Sequence, residues 1–68
     1  MEMNELKEIA RFLFDNGITS HIENLDNDFY NGLILELHKT FIVINDRVLG
    51  KTPIAFSEIK IVERFRGR

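Results

Sequence analysis

The chain has 68 residues, of which 44% are hydrophobic and 29% charged, with a formal net charge of −2 and no cysteine. That length allows one domain with one modest core, burying only about 60% of the surface its unfolded form exposes. The composition excludes disulfides and thiolate metal sites, and no apolar run approaches the ~20 residues of a membrane span.

The first predicted element is a helix from about residue 5 to 15. Leu6, Ile9, Ala10 and Leu13 recur at i, i+3, i+4 and i+7 and line one face. Asn4 is the expected N-cap, and Glu5 and Glu8 sit near the positive end of the helix dipole. Asn16-Gly17 marks the stop, with Gly17 free to take the left-handed conformation. Phe12 falls beside Ile9 and is read as a widened core face, the alternative being a contact surface.

After Gly17 the pattern changes to short β-type runs. Ile18 to Leu25 alternates weakly, and Asp26-Asn27-Asp28 is turn-forming. Phe29 to Leu37 is a strand interrupted by Gly32, where a sharp bend, a bulge or a close backbone approach is expected. His38-Lys39-Thr40 is a short connection. Phe41 to Ile44 is a continuous run of β-formers, as expected where both faces are covered. Asn45-Asp46-Arg47 and Leu49-Gly50-Lys51 read as the next connection. Pro53 lacks an N–H and belongs at a strand start or edge. Ile54 to Phe56 is a short strand, Ser57-Glu58 a tight turn or a single 3₁₀ turn, and Ile59 to Phe65 the last strand. One helix and five strands at spacings of about ten residues favour a small barrel or sandwich over a βαβ sheet. The fold class is therefore mostly β with one N-terminal α-helix: a single domain over residues 1–68, with a strongly bent five-stranded antiparallel barrel from about 18 to 65 and a basic tail at 64–68.

Charge is unevenly spread. Residues 1–36 hold eight acids and two bases, net −6, and residues 37–68 hold three acids and seven bases, net +4. Such asymmetry marks either a basic face for nucleic acid or a head-to-tail or helix-to-barrel charge complementarity.

The element order and its residues resemble the Sm-like family, an SH3-type barrel of five bent strands preceded by a helix. Gly32, Ile34 and Leu37, followed by Phe41-Ile42-Val43-Ile44, match the outline of the family's first motif. Leu49-Gly50, Ile54, Ala55-Phe56, then Ile59 and Val62, match its second. The resemblance implies an oligomeric ring in which the fourth and fifth strands pair between subunits. Ile54-Ala55-Phe56 and Ile59-Lys60-Ile61-Val62 are apolar enough for that role, and a ring buries surface that the lone chain cannot. Members that bind uridine-rich RNA carry an aspartate and an asparagine around the loop that here reads His38-Lys39-Thr40. They carry a basic residue followed by glycine or histidine at the corner that here reads Ala55-Phe56. Other SH3-like barrels share this scaffold pattern, and fold alone does not imply function.

Catalytic chemistry is not indicated. Ser20 and Ser57 lack a recognisable motif, and His21 and His38 lack the spacing of a metal-binding helix motif. Asp26 and Asp28 are not followed by the glycine and glutamate of a calcium loop. Gly17, Gly32, Gly50 and Gly67 are isolated, so no phosphate loop is formed. No cofactor is expected. A non-enzymatic binding module remains, with RNA or single-stranded nucleic acid as the leading ligand. Basic residues tracking phosphates and aromatics stacking on bases are what such binding needs. The candidate residues are His38, Lys39, Phe56 (if exposed at its corner), Arg64 and Arg66, with further charge from Arg47, Lys51 and Arg68. The alternative is a regulatory or scaffolding protein that binds another protein through a barrel edge. The N-terminal glutamates do not read as a signal peptide, and the expected location is the cytoplasm, with homo-oligomers and no membrane contact.

Overall fold

The computed structural model describes residues 1–67, and Arg68, counted above with the basic tail, lies outside the described residues. Helix α1 (Met3–Asp15) is followed by strands β1 (Ser20–Asn24), β2 (Phe29–Leu37), β3 (Phe41–Asp46), β4 (Gly50–Ala55) and β5 (Ile59–Arg64), with a 3₁₀ turn over Phe56–Glu58. Among the described residues, no helix is long and apolar enough to cross a membrane.

Helix α1 begins earlier than the sequence pattern predicts. Its N-cap is Glu2, not Asn4: the Glu2 carboxylate accepts the N–H groups of Asn4 at 2.9 Å and Glu5 at 3.3 Å. The longer glutamate side chain loops back over the first turn and takes donors that the helix itself leaves orphaned. At the other end Gly17 has φ +61°, and the Ile18 N–H reaches back to the Leu13 carbonyl at 3.0 Å. The last turn is thus closed by a left-handed glycine, as anticipated. Leu6, Ala10 and Leu13 are buried. Phe12 is 56% exposed, so it does not widen the core face. At 100° per residue it stands well round the helix from those three, and Ile9, half-buried, marks the edge of the packed side.

The five strands form one antiparallel sheet in the order β4-β3-β2-β1-β5. The sheet is not closed among the described residues, so β4 and β5 are its two free edges. Pro53 lies inside β4, on an edge strand, where a missing N–H is tolerated. The bend that folds the sheet around its core has two causes. At Gly32 a Cβ atom would lie 1.8 Å from the Asn45 carbonyl oxygen, so only glycine lets β3 pass this close. Two residues on, the β2–β3 register slips between Ile34 and Glu36, a bulge that sharpens the local twist. The inner face carries Ile22, Ile34, Ile42, Ile44, Ile54 and Val62 against α1.

Strands β3 and β4 extend further than their hydrophobic runs. Asn45 and Asp46 belong to β3, and Gly50, Lys51 and Thr52 to β4, which leaves only Arg47-Val48-Leu49 as the turn. Asp46, 7% exposed, explains this. One carboxylate oxygen accepts the N–H of Asn31, and the other accepts those of Val48 and Leu49, all at 2.9 Å. These bonds, that of Leu49 foremost, hold the carboxyl below its ordinary range despite the opposing effect of burial, helped by the neighbouring Arg47 charge.

Candidate nucleic-acid interface

The connection between β2 and β3 is fixed at both ends. The His38 N–H donates to the Phe41 carbonyl at 2.9 Å, and the Phe56 N–H donates to the Thr40 carbonyl at 3.0 Å. The second bond ties the 3₁₀ corner to the loop. The His38 ring stacks on Phe41, with centroids 4.4 Å apart and planes at 19°. Its Nε2 lies 2.7 Å from the Glu36 carboxylate.

Helix α1 passes beside this loop and adds two cations that the sequence pattern alone does not bring to it. Lys7 and Arg11, at i and i+4, share one flank of the helix. With Leu37, His38, Lys39 and Phe56 they line a depression of about 290 Å³. A second depression of about 250 Å³, lined by Met3, Lys7, Thr40, Phe56 and Ser57, adjoins it through Lys7 and Phe56. The Lys7 Nζ lies 5.5 Å from the Phe56 ring centroid. The signal for these two was present in the sequence: Lys7 and Arg11 are the only bases in the first 36 residues, and they are spaced for one helix flank. What the sequence could not give is where that flank docks.

Phe56 does not fill the stacking role considered for it. It is 3% exposed and belongs to the core, forming the floor of the depression. The corner turns inward because the 3₁₀ segment starts at Phe56 rather than after it. The accessible planar surface is instead the His38 ring, whose side chain is 43% exposed, backed by Phe41.

Arg64 and Arg66 are not brought to this loop. Arg64 ends β5, ~17 Å along the strand from Ile59 at ~3.3 Å per residue. It pairs with Ser20. There the Arg47 guanidinium sits 5.4 Å from the Phe65 ring, beside a groove of about 710 Å³ lined by residues that include Thr19, Leu33, Asn45, Arg47, Val48 and Phe65. The expected solvated or structural roles hold for other polar residues. Ser20 is fully buried, with its hydroxyl donating to the Ile18 carbonyl at 3.2 Å, out of reach as a nucleophile. The Asn24 side-chain oxygen accepts the N–H groups of Asp26 and Asp28, so that segment is a turn. His21 is held between Asn31 at 2.6 Å and Glu23 at 3.4 Å and stacks on Phe29.

Comparison with solved structures is decisive for the fold. A crystal structure of Hfq, described as a pleiotropic translational regulator, superposes with a TM-score of 0.73 at 15% identity, covering 90% of this chain and 97% of that one. The Hfq protein from Anabaena sp. superposes with a TM-score of 0.72 at 19% identity, covering 94% of this chain and all of that one. The fold is Sm-like. No protein-family model and no curated protein matches the sequence. At these identities the likeness is one of backbone, and it agrees with the single N-terminal helix and five-stranded antiparallel sheet described above.

Proposed function

We propose that the chain assembles into an Sm-like ring that binds single-stranded RNA in the depression between α1 and the β2–β3 loop. The observation that carries this reading is the convergence of Lys7, Arg11 and Lys39 with His38 around one concavity. Among the described residues none of the three long cations has a carboxylate within 4.0 Å. Unneutralised cations attract phosphates, and the His38 ring on its Phe41 backing offers a face for a base. The residue pattern differs from that of the family's uridine-binding members, so the contacts come from the helix flank and the loop rather than from the Ala55-Phe56 corner. The free edges β4 and β5 supply the pairing that closes a ring, in the manner the family resemblance implies. RNA binding also agrees with the role in translational regulation carried by a structural neighbour.

The test is fluorescence anisotropy with short uridine-rich and adenine-rich RNAs at low salt. Binding should weaken steeply as salt rises, because phosphate contacts release counterions. Absence of binding to both oligomers at low salt overturns the reading. Light scattering should show a species well above the 8.0 kDa of one chain. The barrel-edge alternative rests on the same open strands. A monomer that captures one dominant protein irrespective of nuclease treatment would favour it.

A further inference from the structure

Edge strand β4 carries a proline, and the register decides which way its missing N–H points. The Phe56 N–H donates to the Thr40 carbonyl at 3.0 Å, a bonded pair just beyond the β3–β4 ladder. From there the ladder sets Phe41 opposite Ala55, Ile42 opposite Ile54, Val43 opposite Pro53 and Ile44 opposite Thr52. Antiparallel pairs alternate between bonded and non-bonded. Ile54 and Thr52 therefore turn their backbone groups to β3, and Lys51, Pro53 and Ala55 turn theirs to the free side. The far side of β3 agrees. The Phe41 carbonyl accepts the His38 N–H, and the Arg47 N–H donates to the Asn31 carbonyl, both at 2.9 Å, so the odd-numbered positions of β3 serve β2.

Pro53 thus takes no bond from the β3–β4 ladder. It takes the middle donor from the free edge of β4, whose remaining N–H groups are those of Lys51 and Ala55. The free edge of β5 has no such gap. The Phe65 N–H donates to the Thr19 carbonyl at 2.9 Å, and the β1–β5 register then turns Ile61 and Glu63 to β1 and Val62 and Arg64 outward. A strand added to a sheet edge is held mainly by main-chain bonds. Two β4 edges set antiparallel along their full length bring Pro53 opposite Pro53, and both bonds at the centre of that contact are missing. A β4 edge set against β5 lacks one donor only.

We infer that Pro53 selects the partner of β4: it bars β4 of one copy from pairing with β4 of another and leaves the edge to the intact β5 edge of a second copy. Copies then add head to tail, the heterologous contact that a ring requires, rather than closing as two-fold pairs through β4. The exposed Lys60, Glu63 and Arg64 are the charged guards that edge strands also use, here on β5. The inference rests on the ring reading for β5 as the strand that takes this edge; the bar on β4–β4 pairing stands on the register alone.

The chain has no cysteine, so engineered thiols report this contact cleanly. K51C and A55C lie opposite one another between copies when two β4 edges pair about residue 53. Opposed Cα atoms of a bonded antiparallel pair are ~5.5 Å apart, within reach of a disulfide. Within one chain the two positions are ~13 Å apart along the strand, too far to bridge, and neither lies on β5. The K51C/A55C chain is equilibrated in a glutathione redox buffer with Pro53 retained, with P53V and with P53A. Covalent dimer joined between positions 51 and 55 should be scarce with Pro53. It should be at least about fivefold more abundant with P53V and with P53A, the factor set by a net hydrogen bond of roughly 1 kcal/mol. Alanine restores the N–H without the strand preference of valine, so a gain in both variants identifies the donor as the cause. Equal yields in the three chains, or a gain with P53V alone, overturns the inference. Light scattering of the wild type reads the ring separately: a mass of one chain would remove the ring, and β5 as the partner, while the cross-link still decides whether Pro53 bars β4–β4 pairing.

Discussion

The Asp46 carboxylate accepts the backbone N–H of Asn31 at 2.9 Å, joining the end of β3 to the first part of β2 by a side chain. Its second oxygen takes two N–H groups of the β3–β4 turn. One buried carboxylate thus fixes a strand end, a turn, and the position of Arg47.

Asp46→Ala should lower stability by roughly 2–3 kcal/mol, because it leaves three backbone donors without their acceptor. The pH dependence has a definite sign. The folded-state pKa lies below the unfolded value of about 3.9. The contribution is therefore complete above that unfolded value and is lost as pH falls through the folded one. Thermal melts of the wild type should show an acid limb in that window, and the limb should be shallower in Asp46→Asn. An unchanged acid limb in the variant would remove this role.

Gly32→Ala should be far more damaging than Gly50→Ala, although the reasons usually given for glycine apply only to the second. Gly50 has φ +77°, and a Cβ there would meet nothing within 4 Å, so alanine encounters backbone strain alone, about 1–2 kcal/mol. At Gly32 the added carbon would lie 1.8 Å from the Asn45 carbonyl oxygen and 2.7 Å from its carbon. Neither backbone atom can rotate away, so the loss should reach at least about 3 kcal/mol, the upper range for overpacking. Denaturant midpoints for the two variants decide it. Equal losses would show that close approach is not what Gly32 provides.

Much of the fold was legible because local rules and packing agree. The Leu6-Ala10-Leu13 stripe, Gly17, the five strands and the Gly32 interruption each follow from periodicity or backbone freedom. The misreadings arise where a side chain serves the backbone. Asp46 looks like a turn residue, but its carboxylate carries β3 onward. Glu2 lies upstream of the pattern, yet caps the helix. The site was less legible than the fold. His38 and Lys39 stand out in a loop, but Lys7 and Arg11 join them only because α1 docks beside β2 and the 3₁₀ corner. Phe56 depends on which way that corner turns, which no spacing rule gives.

Phe12 and Leu13 test where the helix face ends. Leu13 is 3% exposed and Phe12 is 56% exposed. Leu13→Ala should cost about 2–5 kcal/mol as a core truncation. Phe12→Ser should fall within about 0.5 kcal/mol of wild type, as surface changes do. A large stability loss on denaturant titration of Phe12→Ser would return Phe12 to the core.

The RNA site yields a prediction in the salt dependence rather than in affinity alone. For single strands the logarithm of the binding constant falls with the logarithm of salt by about 0.7 per phosphate neutralised. Lys7→Ala, Arg11→Ala and Lys39→Ala should each weaken binding and each lower that slope by up to about 0.7. Phe41 should act differently, because it backs the His38 ring without carrying charge. Phe41→Leu should weaken binding by roughly 1 kcal/mol, within the range of one base-stacking contact, with the slope intact. Arg64 ends β5, ~17 Å along the strand from Ile59, and Arg66 lies beyond it, so Arg64→Ala and Arg66→Ala should leave the slope unchanged. If instead the arginine variants lower the slope and the Lys7 and Lys39 variants do not, the RNA path runs over the end of β5. The depression beside α1 would then not be the site.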